Sequence, residues 1–574
     1  MEIKRLFLAL SLSFIFIYTY QSCNPPTVED ETQQLETKEK VLVDQADSLI
    51  NNSTQTVTIN QRNSVKSTLY QLYNQKEKKS SETISTDILK VRPGNGYSSI
   101  DQIYLIAPKS ESNKLYKYKG AWDREGLEYD PESPVVPVNN ACNPCLYLTD
   151  NPSPIQFKKI SQIKEGATII LVSHSMNLDT NTTPIIKTTT IQNGKYTINH
   201  TWENLPSDQK FIVKWEGGVL SSEKNKNDDL AELKIYASQN TKYEDELISG
   251  LETNSIKYNN VKWAAIKTKY FMKALSHTNN TQASQVVFTR INNDDDANLN
   301  TNIELYYNQI DAGKISIDSY VGPIETQYLQ DTNTRHLTPL FEFGWFGFLE
   351  KIILWLLQSL YNIIPNYGVV CILFAFIIRL FTGPLTKKSF LSNQKLQALQ
   401  PKIKKIQNKY KDDQARLSQE TMRLYKEEGV NPLGGCLPIL IQMPLLIALF
   451  QVFRKTIEFR GAEFLPVWIT DLSQPDVVIP MPEFVNNIYG LGFFFGHGIA
   501  LLPIIMGVVM FLSMNLSANT GSEQASAQKF AMYFMNAFFI LLFNTFPAGL
   551  NLYYTVYNVL NFVQQKKLKR LQPQ

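Results

Sequence analysis

Cysteine and histidine are scarce in this 574-residue chain, five of each, and they are scattered. That scarcity argues against most metal and thiol chemistry. Cys142-Asn143-Pro144-Cys145 is a CxxC with no second CxxC and no suitably spaced histidine, which suits a structural pair, open to forming a disulfide, better than zinc or redox work. His174, His200 and His277 are singletons, read as surface or packed residues, and His497 has no HExxH or nucleophile motif beside it. No GxxxxGKS/T loop is present, so nothing points to ATP. Charge of one sign is lacking too: 56 Lys and Arg against 53 Asp and Glu leave +3, which gives no reason to expect DNA. The expectation is a protein that is no enzyme and holds no metal or cofactor.

What the chain does have is unevenly spread. From Cys23 to Leu340 it is polar and rich in Asn, Thr, Ser and Lys; from Phe341 onward, apolar runs long enough to approach the thickness of a bilayer recur. At the N-terminus, Lys4 and Arg5 precede the apolar run Leu6 to Tyr20, a signal peptide or an uncleaved anchor, the latter preferred. Cys23 raises a lipid-modified cysteine as a third option, but Tyr20-Gln21-Ser22 lacks the usual upstream aliphatic residue. In each case the following domain is exported, because the positive flank stays inside.

Within the polar part, the runs Ile185 to Asn199, Lys210 to Ser221, Gln285 to Asn292 and Ile303 to Val321 are rich in Thr, Val, Ile and Tyr and broken by Gly, Asn, Asp and Pro. That composition predicts an antiparallel β-sandwich behind a polar tether. Phe343 to Asn362 then places Phe346, Leu349, Ile353, Leu356, Leu357 and Leu360 at helical spacing, with Glu350, Lys351 and Gln358 between, which predicts a helix lying flat on a membrane.

Five apolar segments follow: Tyr367 to Phe381, Leu437 to Phe453, Ile499 to Leu516, Phe530 to Phe546 and Gly549 to Val563. With the N-terminal anchor they make six crossings. Basic residues cluster between the first two segments and in the tail Lys566, Lys567, Lys569 and Arg570, whereas Glu458 to Glu483 is acidic apart from Arg460. Both basic regions are therefore expected inside, and the acidic loop outside. Leu396, Leu399, Ile403, Ile406 and Tyr410, then Leu417, Thr421 and Leu424, step by three and four, predicting a two-helix hairpin in which Asp412 or Asp413 caps the second helix and Gly429 ends it. Its Lys402, Lys404, Lys405, Lys409, Arg416 and Arg423 serve equally well as a solvated face or as a dock for a partner.

The predicted class is a polytopic α-helical membrane protein with six spans, an all-β sandwich outside and a helical hairpin inside. Its parts are 1–23 (anchor), 24–340 (tether and sandwich), 341–364 (interfacial helix), 365–565 (helical core, with the hairpin at 385–434) and 566–574 (basic tail).

Arg379 is the sole charge in the five segments, and no acidic residue lies in any of them. A charge in a span costs roughly 3 kcal/mol on insertion scales unless it finds water or a partner. Snorkelling past Gly383-Pro384 supplies water, and so does a hydrated groove lined by Gln442, Asn515, Asn544, Asn551 or Asn558; these residues alone leave both open.

Leu399-Gln400-Pro401-Lys402-Ile403, Asn431-Pro432-Leu433-Gly434-Gly435-Cys436-Leu437-Pro438, Ile441-Gln442-Met443-Pro444 and Phe546-Pro547-Ala548-Gly549-Leu550-Asn551-Leu552-Tyr553-Tyr554 closely resemble motifs of the YidC/Oxa/Alb membrane insertases. Arg379 with Pro384-Leu385-Thr386 is similar to that family's groove arginine, and Tyr320-Val321-Gly322-Pro323 to the end of the large periplasmic domain of its Gram-negative branch. Ala375 and Met535-Asn536 depart from the pattern where the family often has a small polar residue and Met-Pro. The resemblance implies a five-helix insertase core in the inner membrane and favours the groove, with Tyr553 and Tyr554 as further lining. It implies a substrate-guiding surface on Met443, Leu446, Phe450, Met532, Met535 and Phe539, whose flexible Met and large aromatics adapt to varied segments. Its partners are nascent membrane proteins, the bilayer, the Sec translocon with its accessory subunits, and the ribosome or signal recognition particle receptor. A secondary transporter and a non-catalytic scaffold are the rival readings; intramembrane acids and repeated halves, which a transporter would show, are absent from the sequence.

Overall fold

The computed structural model describes residues 83–570 except 95–98, 107–116, 123–128, 136–137, 140–142, 177–182, 225, 240–241, 248–254, 279–281, 291–300, 330–334, 342–343, 345, 411–412, 431–436, 482–497 and 518–522. The expected N-terminal anchor, the tether, Cys23, Cys142 and His497 lie outside the described residues.

Alternating burial builds the first half. Ile186–Gln192 and Thr197–Glu203 bury every second side chain and meet as a hairpin whose turn passes through Gly194 at φ 76°, a left-handed position that glycine takes without steric cost. These strands belong to a 13-stranded antiparallel sheet running from Cys145–Leu148 through Ser255–Lys267, Phe271–His277 and Ile315–Pro323 to Phe157–Glu165. A four-stranded sheet, Ile84–Ser85 to Val138–Asn139, accompanies it, and one apolar core joins the two, from Ile84 and Leu89 to Trp202, Trp215 and Phe271. The expected run Ile303 to Val321 is two strands, Thr301–Tyr307 and Ile315–Pro323, parted by a helical turn at Asp311–Gly313. Cys145 is disulfide-bonded. The histidines do structural work: buried His200 bridges Thr189 at 3.3 Å and Ser319 at 3.0 Å, and His277 meets the Tyr307 hydroxyl at 2.8 Å.

Eight helices are used below: α1 (Lys226–Glu232), α2 (Gly347–Ile363), α3 (Tyr367–Lys409), α4 (Gln414–Glu427), α5 (Leu437–Lys455), α6 (Leu501–Ser517), α7 (Glu523–Phe543) and α8 (Ala548–Arg570). On α2 the expected division into one apolar and one polar face is corrected. Glu350 is buried with Ile353, Leu354 and Leu357, because its carboxylate accepts the Gly344 N–H at 3.0 and 2.9 Å, while Phe348, Ile352, Trp355 and Ile363 are exposed.

A second correction concerns α3. The span Tyr367 to Phe381 and the first hairpin helix were expected as separate pieces; they are one 43-residue helix that carries Pro384 and Pro401 inside it. At 1.5 Å per residue it is about 65 Å long, twice the roughly 30 Å hydrocarbon thickness. Its far half packs with α4 through Leu399, Ile403 and Val430, and Asp413 caps α4 by accepting the Arg416 N–H at 3.0 Å. Gly429, at φ 62°, follows α4. Among the described residues, Tyr367–Leu396 is the one stretch long and apolar enough to cross a membrane alone, with shorter apolar helices at Leu501–Leu516 and Met532–Phe543.

The loop after α5 enters the β domain. Ile457 joins the β domain's own core, and Arg460, 3% exposed, spends all its donors there. Its Nε pairs with Glu223 at 2.7 Å; Nη1 donates to the carbonyls of Lys117 and Lys119, and Nη2 to those of Gly120 and Ser222, at 2.6 to 2.8 Å. Beside it Arg454 pairs with Glu232 of α1 at 3.3 Å, and the Tyr270 hydroxyl donates to the Arg454 carbonyl at 3.1 Å.

Candidate functional site

Arg379 lies in the first third of α3 and is 8% exposed, while Phe376, Leu380 and Phe381, its neighbours along the same helix, are 51 to 76% exposed. Helical geometry thus divides one stretch into an outward apolar face and an inward cation. The guanidinium points at α8. Nη2 donates to the Asn561 amide oxygen at 3.0 Å and to that of Gln564; Nη1 reaches Thr386 Oγ1 at 3.4 Å and the Tyr557 hydroxyl at 3.5 Å. The cation also stands over the Tyr557 ring, 5.3 Å from its centre. Every one of these partners is neutral. They satisfy donors without cancelling charge, so the site keeps a positive field.

Two further contacts fix the cage. Thr382 meets the Tyr557 hydroxyl at 3.1 Å, and Gln564 donates from Nε2 to the Gly383 carbonyl at 3.2 Å. Above it, Phe374, Tyr553 and Tyr554 form an aromatic column with centroids 5.4 and 4.9 Å apart. The hydroxyls of both tyrosines are buried without a hydrogen-bond partner.

None of the asparagines or the glutamine expected around Arg379 is among its partners. Asn544 holds the junction at the start of α6, donating to the Gly498 carbonyl at 2.7 Å and accepting the Ala500 N–H at 2.8 Å. Asn551 donates to the carbonyls of Phe543 and Phe546 at 3.1 and 3.2 Å, closing the end of α7. Asn558 bonds back to Tyr554 within α8, Asn515 accepts from the Tyr533 hydroxyl at 3.1 Å, and Gln442 is half-buried on α5. Tyr557, Asn561 and Gln564 were missed. Their spacing of four and three along α8, one polar stripe on a helix that was read mainly for its FPAGLNLYY start, was the available signal.

The apolar candidates divide. Met443, Met532, Met535 and Phe539 are partly exposed, but Leu446 and Phe450 are buried at 6% and 2%, with Phe450 against Phe546 at 4.7 Å, so their expected outward placement is corrected: helix packing claims that face. Asn536, in the departing Met535-Asn536 pair, ties α7 to α6 by donating to the Gly507 carbonyl at 3.0 Å. Close approach there depends on glycine, because a Cβ on Gly507 would lie 2.2 Å from Ile540. Of the six basic residues expected as a partner dock, Arg416 and Arg423 pair with Asp413 and Glu427, and Lys402 with Glu428, while Lys404, Lys405 and Lys409 are exposed.

Comparison with known proteins adds the following. Residues 359–574 match the family model described as 60Kd inner membrane protein, and residues 170–356 match that of the YidC periplasmic domain. A protein of Prosthecochloris aestuarii named membrane protein insertase YidC is 37% identical over 371 residues, covering 62% of this chain and 60% of the relative. One of the same name from Chloroherpeton thalassium is 34% identical over 378 residues, covering 62% and 61%. The match thus spans about three fifths of these relatives' length. Among solved structures, an active YidC insertase with its first transmembrane domain resolved aligns over 85% of this chain and 92% of that one at 18% identity and TM-score 0.33. YidC from Thermotoga maritima aligns over 84% and 96% at 14% identity and TM-score 0.26.

Proposed function

We propose that this chain, which matches the 60Kd inner membrane protein model over residues 359–574 and the YidC periplasmic domain model over residues 170–356, is a member of that insertase family and inserts newly made proteins into the inner membrane. The carrying observation is the buried Arg379 cation whose partners are all neutral. Six spans are proposed, from the N-terminal anchor, α3, α5, α6, α7 and α8, with both termini cytoplasmic and the β domain periplasmic. The α3–α4 hairpin is then cytoplasmic, and its exposed Lys404, Lys405 and Lys409 face the ribosome or the signal recognition particle receptor. The Sec translocon is a further proposed partner.

For an incoming segment, burial of the apolar helix in lipid is downhill, and the polar tail supplies the barrier. A groove between α3, α5 and α8 that admits cytoplasmic water shortens the low-dielectric path. Arg379 draws acidic tail residues into it, and the membrane potential helps each negative charge outward by about 2.3 kcal/mol per 100 mV. No ATP is consumed. The half-exposed Met443, Met532, Met535 and Phe539 guide the substrate helix toward lipid.

In this reading the amides of Asn561 and Gln564 hold the cation until a carboxylate replaces them. Gln564→Glu puts a fixed anion beside Arg379 and is expected to depress insertion of acidic-tailed substrates by about tenfold, a loss of roughly 1.4 kcal/mol, while neutral-tailed ones are unaffected. Protease protection of the tail in proteoliposomes holding the purified chain reads both. The same assay tests the function itself: without chain-dependent protection of any tail, the insertase reading fails.

A further inference from the structure

The outer loop between α5 and α6 carries a turn that the insertion mechanism does not use. Leu465-Pro466-Val467 project from it; Val467 is 99% exposed and Leu465 40%. The turn is built firmly. Phe464 donates its N–H to the Ile469 carbonyl at 2.9 Å, Ile469 donates back to Leu465 at 2.8 Å, and Leu472 closes the base on Ala462 at 2.9 Å. Three apolar residues held out on a rigid turn, between Glu463 and Asp471, are costly to leave in water.

Its position says what covers it. The Phe464 ring lies against Gly368, so close that a Cβ there would sit 2.1 Å away. Gly368 is in the first turn of α3, whose Tyr367–Leu396 stretch is apolar enough to span a bilayer, and Ile363 just before that turn is 77% exposed. The exposed apolar surface of the span therefore continues onto the turn. A three-residue tip is far smaller than the about 800 Å² per partner that a stable protein interface buries.

We propose that the Leu465–Trp468 turn is a lipid anchor, inserted among acyl chains at the leaflet where α3 begins. This rests on α3 being a membrane span. It is independent of insertase activity. Pro466 stiffens the tip, and Trp468 behind it suits the headgroup boundary.

The test is a nitroxide label on Val467→Cys in the full-length chain, reconstituted in phosphatidylcholine and phosphatidylglycerol vesicles, with the labelled unsubstituted chain as background. The expected result is a label several-fold more accessible to oxygen than to a water-soluble nickel complex. Nickel access equal to that of a label in water overturns the proposal, as does exclusion of both reagents, which would put a second copy or another protein over the tip. Substrate insertion measured on the same vesicles separates the two ideas: normal insertion with a water-exposed label sinks the anchor alone, and lost insertion with an oxygen-exposed label sinks the function alone.

Discussion

Arg379→Ala is expected to slow insertion of substrates with acidic translocated tails by about tenfold while leaving neutral tails near the wild-type rate. The size follows from the site. Two unit charges about 4 Å apart attract by about 1 kcal/mol in water and about 4 kcal/mol at an effective dielectric constant near 20, and roughly 1.4 kcal/mol is a factor of ten. Arg379 sits between those limits, because it is buried at 8% exposure yet surrounded by polar Thr386, Tyr557, Asn561 and Gln564. Arg379→Lys keeps the charge but loses the fork that places Nη1 on Thr386 and Tyr557 and Nη2 on Asn561 and Gln564, so it is expected to be milder than Arg379→Ala. A double-mutant cycle between residue 379 and tail charge measures the attraction directly. Equal losses for acidic and neutral tails would show that Arg379 only braces α3 against α8.

The second large effect is one of stability. Arg460→Ala is expected to cost about 3 to 5 kcal/mol, because it takes the 2.7 Å ion-pair partner away from the buried Glu223 carboxylate. It also leaves the carbonyls of Lys117, Lys119, Gly120 and Ser222 without this donor, and removes a cation 5.5 Å from the centre of the Phe271 ring. Glu223 is 3% exposed, so solvent screening gives little relief. Arg460→Lys supplies one point donor in place of a fork and recovers only part of the loss. Denaturant unfolding in detergent, followed through the buried Trp202 and Trp215, reads the change. A shift below about 1 kcal/mol would mean that the contact is no stronger than an exposed surface pair.

Arg460 also marks what sequence reading misses. It was visible as the lone base in an acidic loop, which served to orient the loop. Its partners at 117–120 and 222–223 lie hundreds of positions away, and no periodicity connects them. The local signals fared differently. Strands with alternating burial, the Asp413 cap, Gly429 after α4 and the apolar seam through Leu399 and Ile403 could all be read from spacing, since each depends on neighbours within a turn or a hairpin. Pro384 sits inside α3, because proline removes one hydrogen bond and a long helix packed on α8 tolerates that. Arg379 itself stood out by being alone, and its inward direction was not legible: it follows from which face of α3 meets α8. The same rule turned Leu446 and Phe450 into packing residues and handed the contacts with Arg379 to Tyr557, Asn561 and Gln564 rather than to the expected asparagines.

The most direct measurement of the central claim is photocrosslinking from Thr386, beside the Arg379 cation, and from Met443 on α5, to ribosome-bound nascent membrane proteins stalled at increasing length. Insertion through a groove beneath Arg379 predicts crosslinks at both sites, with the tail reaching position 386 and the apolar segment passing position 443. Crosslinks at neither site, for substrates whose insertion still depends on the chain, would contradict it.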